Sequence, residues 1–124
     1  MSVKNKKQFG VWMDSHHATI VGRDGNDESS FIVLGHTKNS GISNTNQGES
    51  KQAEQTMMHT YFKEIAHHMQ NADEIHLTGT GTAQEQFTHY LKETPQFKNV
   101  SAKESTSNKM SDDKLVEFIS AKFP

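Results

Sequence analysis

The chain has 124 residues, 31% of them apolar, no cysteine, a formal charge of −2 and a mean hydropathy of −0.82. This length predicts one domain. The lack of cysteine excludes disulfides and thiolate chemistry, and the slight negative charge argues against binding to nucleic acid by charge alone. No window approaches the ~20 apolar residues that would cross a bilayer, and no apolar signal core follows the first residues. We therefore expect a cytoplasmic protein without a membrane partner, with residues 1–7 as a disordered tail and residues 8–124 as a single domain.

Three strands are predicted at the start of the domain. Residues 8–14 and 17–22 are typical of strands and are separated by a short polar turn, which predicts a hairpin. Turn-forming Asp24 and Gly25 then lead to a third strand over residues 30–35. Consecutive strands joined in this way favour an antiparallel meander.

A long polar segment follows the third strand. From His36 to Glu49 the chain consists almost entirely of Asn, Ser, Thr, Gly and Gln, a composition that cannot bury enough apolar surface to order itself. This composition predicts a mobile loop within the domain. Loops of this length are uncommon in compact domains unless they carry a function, so residues 37–49 are a candidate binding segment.

Helices and strands alternate in the second half of the chain. The pattern predicts a helix over residues 50–71, a strand from about Asp73 to Gly79, a helix over 82–93, a strand over 97–102 and a last helix capped by Ser111. In the first of these helices, apolar residues recur on one face and His59, Lys63 and His67 lie on the other. The predicted fold is α/β, with a five-stranded mixed sheet made of a three-strand antiparallel meander followed by helix-strand-helix-strand-helix.

A glycine turn joins the predicted fourth strand to the helix that follows it. Thr82 and Glu85 have the T-x-x-E spacing of a capping box, which predicts that Thr82 caps the helix. The amides of Gly79, Gly81 and Thr82, with the positive end of the helix dipole, would form a binding site for a phosphate or carboxylate. The alternative is a turn with a purely structural role.

The eight histidines raise the question of a metal site, but their spacing does not support one. The neighbouring pairs, His16 with His17 and His67 with His68, point in different directions, so we expect solvated histidines, no metal and no cofactor. Asp14 with Glu54 or Glu64 would resemble the acidic cluster of a two-metal nuclease. The third acid of such a cluster is missing at the end of the fourth strand, and a solvated Asp14 at the hairpin turn is the favoured interpretation.

From Phe9 to Phe123, the order of elements and several local motifs resemble the middle domain of the archaeal and eukaryotic peptide-release-factor and Pelota family, including its bacterial relatives. In that family the fourth strand ends in Gly-Pro-Gly, followed by two residues, a lysine and a helix that contains phenylalanine. Residues 79–87 are similar, with Thr80 in place of the proline and Gln84 in place of the lysine. Residues 10–14 are similar to the family's first strand and residues 115–119 to its closing helix. The resemblance implies a ribonuclease-H-like sheet.

The resemblance also suggests where a function would lie. In release factors, the loop before the long helix carries Gly-Gly-Gln, which helps water to attack peptidyl-tRNA, and the corresponding loop here contains Asn46, Gln47 and Gly48. The resemblance implies a translation-associated, non-catalytic binding protein whose partner is the ribosome or RNA. One alternative is a small hydrolase of peptidyl-tRNA or of another ester or phosphate, in which Gln47 would place water. Another is a homo-oligomer with a small anion at the glycine turn.

Overall fold

The structure is a computed structural model that describes residues 7–23, 30–39 and 51–123, and for residues 51–57 it describes only the helical backbone. The strands are β1 (Gln8–Met13), β2 (His17–Arg23), β3 (Ile32–Lys38), β4 (Glu74–Gly79) and β5 (Ser101–Thr106). The α-helices are α1 (Lys51–His67), α2 (Thr82–Glu93) and α3 (Asp112–Lys122), with a 3-10 turn over Pro95–Phe97.

The five strands form one mixed sheet, as the sequence predicts, in the order β3-β2-β1-β4-β5. The pairs β1–β2 and β2–β3 are antiparallel, whereas β1–β4 and β4–β5 are parallel. Strands β1, β3, β4 and β5 therefore end on the same side of the sheet, at Met13, Lys38, Gly79 and Thr106. We call this side the carboxyl end of the sheet.

Helices cover both faces of the sheet. Along β1, Val11 and Met13 belong to the core beneath α1 and α2, while Trp12 packs with Leu115 and Ile119 of α3 on the opposite face. A strand that is buried on both faces has no polar alternation, which explains the almost continuous apolar run in β1. The predicted buried face of α1 is confirmed where side chains are described, with Tyr61, Phe62, Ile65 and Ala66 buried in the helix and Met69 buried just after its end.

The third strand was predicted over residues 30–35, but β3 begins two residues later and ends three residues later. β3 continues through His36 and Thr37 to Lys38, which pairs with His17 of β2. The polar composition of this part of β3 suggested a loop. However, β3 is an edge strand, and an edge strand pairs with a neighbouring strand on one side only. Of the predicted loop over residues 37–49, Thr37 and Lys38 belong to β3 and Asn39 is buried, and residues 40–49 lie outside the described part of the chain.

Two further boundaries differ from the predictions. Phe97 belongs to the 3-10 turn that Pro95 opens, and its side chain is buried in the core, so β5 begins only at Ser101. Apolar Phe97 and Val100 suggested a strand because a short apolar run does not reveal whether it lies in a strand or a turn. Helix α1 ends at His67, and the chain then turns through Asn71, whose φ of 61° is left-handed.

Helix α2 has the predicted bounds, but the predicted capping box is wrong. The N-cap is Gly81, so Gln84 occupies the third helical position, and its side chain accepts a hydrogen bond from the Gly81 amide at 2.9 Å. Glu85 is one position too late for this role and is exposed. The predicted cap of α3 is confirmed, because Ser111 Oγ accepts a hydrogen bond from the Lys114 amide.

Candidate functional site at the carboxyl end of the sheet

The glycine turn requires glycine for two different reasons. Gly79 packs so closely against β1 that a Cβ atom there would overlap the carbonyl oxygen of Met13. Gly81 has a φ of 128°, and residues other than glycine rarely adopt this backbone conformation. The close contact of β4 with β1 and the start of α2 therefore both depend on this turn.

Gln84 joins the turn to the neighbouring strand β5. Its side chain is only 2% exposed, its Oε1 accepts from the Gly81 amide, and its Nε2 donates to the Ser105 carbonyl at 2.6 Å. The Gly81 amide thus already has a hydrogen-bond partner within the chain. Of the predicted anion-binding residues Gly79, Gly81 and Thr82, only Thr82 is exposed, and an anion would reach the Gly81 amide only after Gln84 had moved.

A chain of hydrogen-bonded side chains runs between β4 and β5 beneath α3. His76 Nε2 lies 2.8 Å from Ser105 Oγ, which donates to Thr78 Oγ1 at 3.0 Å, and Thr78 Oγ1 lies 2.7 Å from Ser107 Oγ. His76 is only 7% exposed. This histidine was not predicted as a site residue, because no local pattern in the sequence distinguishes a buried histidine from a solvated one.

The electrostatic setting of His76 favours the neutral ring. Burial lowers the pKa of His76, and the nearby ammonium groups of Lys122 and Lys103 lower it further. The ring of Phe118 contacts the imidazole edge-on. A neutral imidazole can share a hydrogen bond with Ser105, which joins β4 to β5, while its ring contacts Phe118 of α3.

Asp14 holds the hairpin between β1 and β2. Its Oδ1 accepts hydrogen bonds from the amides of His16 and His17, both at 2.8 Å, which supports the interpretation of Asp14 as a hairpin residue. The Tyr61 hydroxyl of α1 donates to the Asp14 carbonyl at 2.8 Å. Burial, with a smaller contribution from the Asp14 charge, raises the pKa of Tyr61 and keeps the hydroxyl protonated as a donor.

The segment with Asn46, Gln47 and Gly48 is attached at this end of the sheet. On one side, the Asn39 amide donates to the His16 carbonyl at 2.8 Å. On the other, α1 continues for ten residues from Tyr61 to Lys51, about 15 Å of helix, at the carboxyl end of the sheet. Asn46, Gln47 and Gly48 themselves lie outside the described residues.

A cavity of about 420 Å³ opens at the same end, between the hairpin β2–β3 and the start of α3. Its lining residues are Trp12, His17, Ala18, Thr19, His36, Thr37, Lys38, Lys109, Met110, Ser111 and Asp112. His36 Nε2 lies 3.0 Å from an Asp112 carboxylate oxygen, which joins β3 to α3 across the cavity. This cavity could not be predicted from the sequence, because its walls come from four separate parts of the chain.

Metal binding finds no support in the arrangement of the described side chains. Six of the eight histidines are exposed, as expected, while His68 is half-buried and His76 is buried. In residues 7–23, 30–39 and 58–123, no three His, Asp or Glu side chains converge on one point. A second open concavity, between α1 and α2, contains His59, His89 and Glu93 beside Tyr90, and these groups also do not converge.

The structure brings together several of the predicted site residues. Gly79, Gly81, Thr82 and Asp14 all lie at the carboxyl end of the sheet, where ligands of open α/β sheets commonly bind. The structural role of Gln84 was not predicted from the sequence. None of the described helices is both long and apolar enough to cross a membrane.

Solved structures share this fold. Pelota from Thermoplasma acidophilum is 20% identical with a TM-score of 0.63, and the match covers 94% of this chain and 32% of that one. Pelota from Archaeoglobus fulgidus is 13% identical with a TM-score of 0.61, with 97% and 32% covered. The archaeal translation termination factor aRF1 is 12% identical with a TM-score of 0.53, with 86% and 32% covered.

Comparison by sequence adds nothing to these structural matches. No protein-family model matches the chain, and no curated protein matches it. The chain spans about a third of the length of each of the three structures, and identities of 20% or less support a likeness of fold alone. The five-stranded mixed sheet with its three helices is thus a fold that also occurs in Pelota and in an archaeal translation termination factor.

Proposed function

We propose that this chain is a translation-associated binding protein that contacts the ribosome or RNA through the carboxyl end of its sheet and through residues 37–49. The observation that carries the proposal is the structural likeness to two Pelota proteins and a translation termination factor, which extends over 86% or more of this chain. The described residues that flank Asn46, Gln47 and Gly48 in sequence, Asn39 after β3 and the start of α1, lie at this end of the sheet.

Several polar groups at the carboxyl end of the sheet are engaged in hydrogen bonds within the chain. The hydroxyls of Thr78, Ser105 and Ser107 bond to one another, and the Gln84 amide joins two backbone groups. The Asp14 carboxylate accepts two backbone amides. A general base or nucleophile must reach a substrate atom, whereas these groups already serve to hold the turn and the hairpin.

Sedimentation of the tagged full chain through a sucrose gradient tests the proposal. We expect the protein in ribosomal fractions at low salt, and we expect the Asn46→Ala/Gln47→Ala double variant to leave those fractions. Gln86→Ala, an exposed glutamine on α2, is the control and should sediment as the wild type does. If the wild type is absent from all ribosomal fractions, in both growth and stationary phase, the proposal is wrong.

A hydrolysis assay separates binding from the alternative activity. If the chain releases peptide from peptidyl-tRNA, and if Gln47→Ala abolishes this release while Gln86→Ala does not, a hydrolase replaces the binding protein as the better account. Release that survives Gln47→Ala would exclude a mechanism in which Gln47 places water.

A further inference from the structure

The cavity between β2, β3 and α3 combines a buried apolar side chain with exposed charged groups at its opening. Trp12, only 3% exposed, and half-buried Met110 supply an apolar wall, and Thr19 and Ser111 bring hydroxyls to it. Its volume of about 420 Å³ lies within the range of roughly 300–1,000 Å³ that is typical of small-molecule sites. The Trp12 indole Nε1 donates to the Ser107 carbonyl at 3.4 Å, which fixes the ring at this position.

The charges at the opening of the cavity favour an anion. Lys38, at the end of β3, and Lys109, just before α3, both line it and are exposed, as are the imidazoles of His17 and His36. The only acid in the lining is Asp112, and it pairs with His36. Within the described part of the chain, neither Lys38 nor Lys109 forms an ion pair, so two ammonium groups face an opening whose single carboxylate is already engaged.

We propose that this cavity binds a nucleotide unit, either free or as part of a single-stranded RNA. Its phosphate would lie near Lys38 and Lys109, and its base and ribose would contact the apolar wall and the hydroxyls of the cavity. An inorganic anion would use only the lysines, and an uncharged apolar molecule would not need them. A nucleoside monophosphate would use both the lysines and the apolar wall, because it combines a doubly charged phosphate with a flat, weakly polar base.

The compact shape of the site favours a nucleotide over an acidic peptide. An extended peptide needs a groove along several residues, whereas the lining here consists of short stretches of β1, β2, β3 and the start of α3. The RNA form of the proposal rests on the proposed function, since an RNA partner would supply the nucleotide. The free-nucleotide form does not depend on it.

Trp12 makes the site directly observable, because it is the only tryptophan in the chain and it lines the cavity. The test is a titration of the full chain, followed by Trp12 fluorescence and by calorimetry. The probes are adenosine and uridine monophosphate, adenosine, inorganic phosphate, a short single-stranded RNA and an acidic peptide. We expect both monophosphates and the RNA to change the fluorescence, with adenosine and phosphate binding at least tenfold more weakly.

Two double variants test whether Lys38 and Lys109 contribute to nucleotide binding. Lys38→Ala/Lys109→Ala should weaken monophosphate and RNA binding at least tenfold, and the salt dependence of RNA binding should become less steep. Lys92→Ala/Lys98→Ala removes the same charge near the other end of the molecule and should change affinity by less than twofold. Both pairs are exposed, so thermal unfolding should confirm that each double variant folds.

Several outcomes would overturn the proposal. These are no response to any nucleotide or RNA, equal binding of inorganic phosphate, tighter binding of the acidic peptide, or equal losses in the two double variants. Much tighter binding of RNA than of the monophosphates identifies RNA as the source of the nucleotide, and equal binding identifies a free nucleotide. Ribosome sedimentation is scored separately. Sedimentation without nucleotide binding contradicts only this inference, and nucleotide binding without sedimentation contradicts only the proposed function.

Discussion

Gly79 shows how a single residue fixes the distance between two strands. A Cβ atom at this position would overlap the Met13 carbonyl oxygen, and backbone cannot move aside as the end of a long side chain can. We expect Gly79→Ala to lower the free energy of unfolding by at least about 2 kcal/mol, measured from urea midpoints. Thr80→Ala, which changes an exposed residue of the same turn, should cost less than about 0.5 kcal/mol. An unchanged midpoint for Gly79→Ala would contradict the close packing.

His76 should make stability depend on pH. Burial and the neighbouring lysines lower its pKa in the folded chain below the value of about 6.5 expected when unfolded. The folded state then binds the proton less readily, so the stability due to the neutral ring is present above about pH 6.5 and is lost as pH falls from there toward the folded pKa. The slope should not exceed about 1.4 kcal/mol per pH unit.

A substitution at His76 tests this dependence. His76→Gln keeps a side chain that can bond to Ser105 Oγ but does not titrate, so the urea midpoint should change less between about pH 7 and about pH 5 than in the wild type. His89→Gln replaces an exposed histidine and should leave the wild-type pH profile unchanged. Equal profiles for His76→Gln and the wild type would show that His76 does not titrate differently on folding.

At the scale of elements, the start of α2 depends on Gln84 and not on the predicted Thr82. Gln84→Ala leaves the Gly81 amide and the Ser105 carbonyl without their partner and should cost about 2 kcal/mol or more in unfolding free energy. Thr82→Ala should cost less than about 0.5 kcal/mol, because Thr82 is an exposed first helical residue. Thermal and urea unfolding of the two variants measure this difference. A larger loss in Thr82→Ala would restore Thr82 as the cap.

The elements that were predicted well have a local origin. The apolar face of α1 and the Ser111 cap of α3 follow from the spacing of neighbouring residues, and the structure confirms both. The ends of β3 and β5 were predicted poorly because these two strands are the edge strands of the sheet. An edge strand forms backbone hydrogen bonds with one neighbouring strand only and buries little apolar surface. Polar sequences such as residues 36–38 and 103–106 can therefore form edge strands.

At the scale of the whole molecule, the two cores share one sheet and should unfold together. Val11 and Met13 belong to the core under α1 and α2, and Trp12 between them belongs to the core under α3. We expect the urea transition followed by Trp12 fluorescence to coincide with that followed by far-UV circular dichroism. Ile119→Ala should lower both midpoints equally, at a cost of roughly 2–5 kcal/mol. An earlier fluorescence transition would show that α3 detaches separately.

The sequence by itself determined the order of the elements, the apolar helix faces and the strand-turn-helix unit around Gly79 and Gly81. Such features depend on residues within one or two turns of each other, where periodicity and turn chemistry are visible. Only the tertiary structure decided which residues meet. Gln84 bonds to Ser105, His76 lies beneath α3, and the cavity joins Trp12 to Lys38 and Lys109. Such contacts depend on strand order and register, which no local pattern encodes.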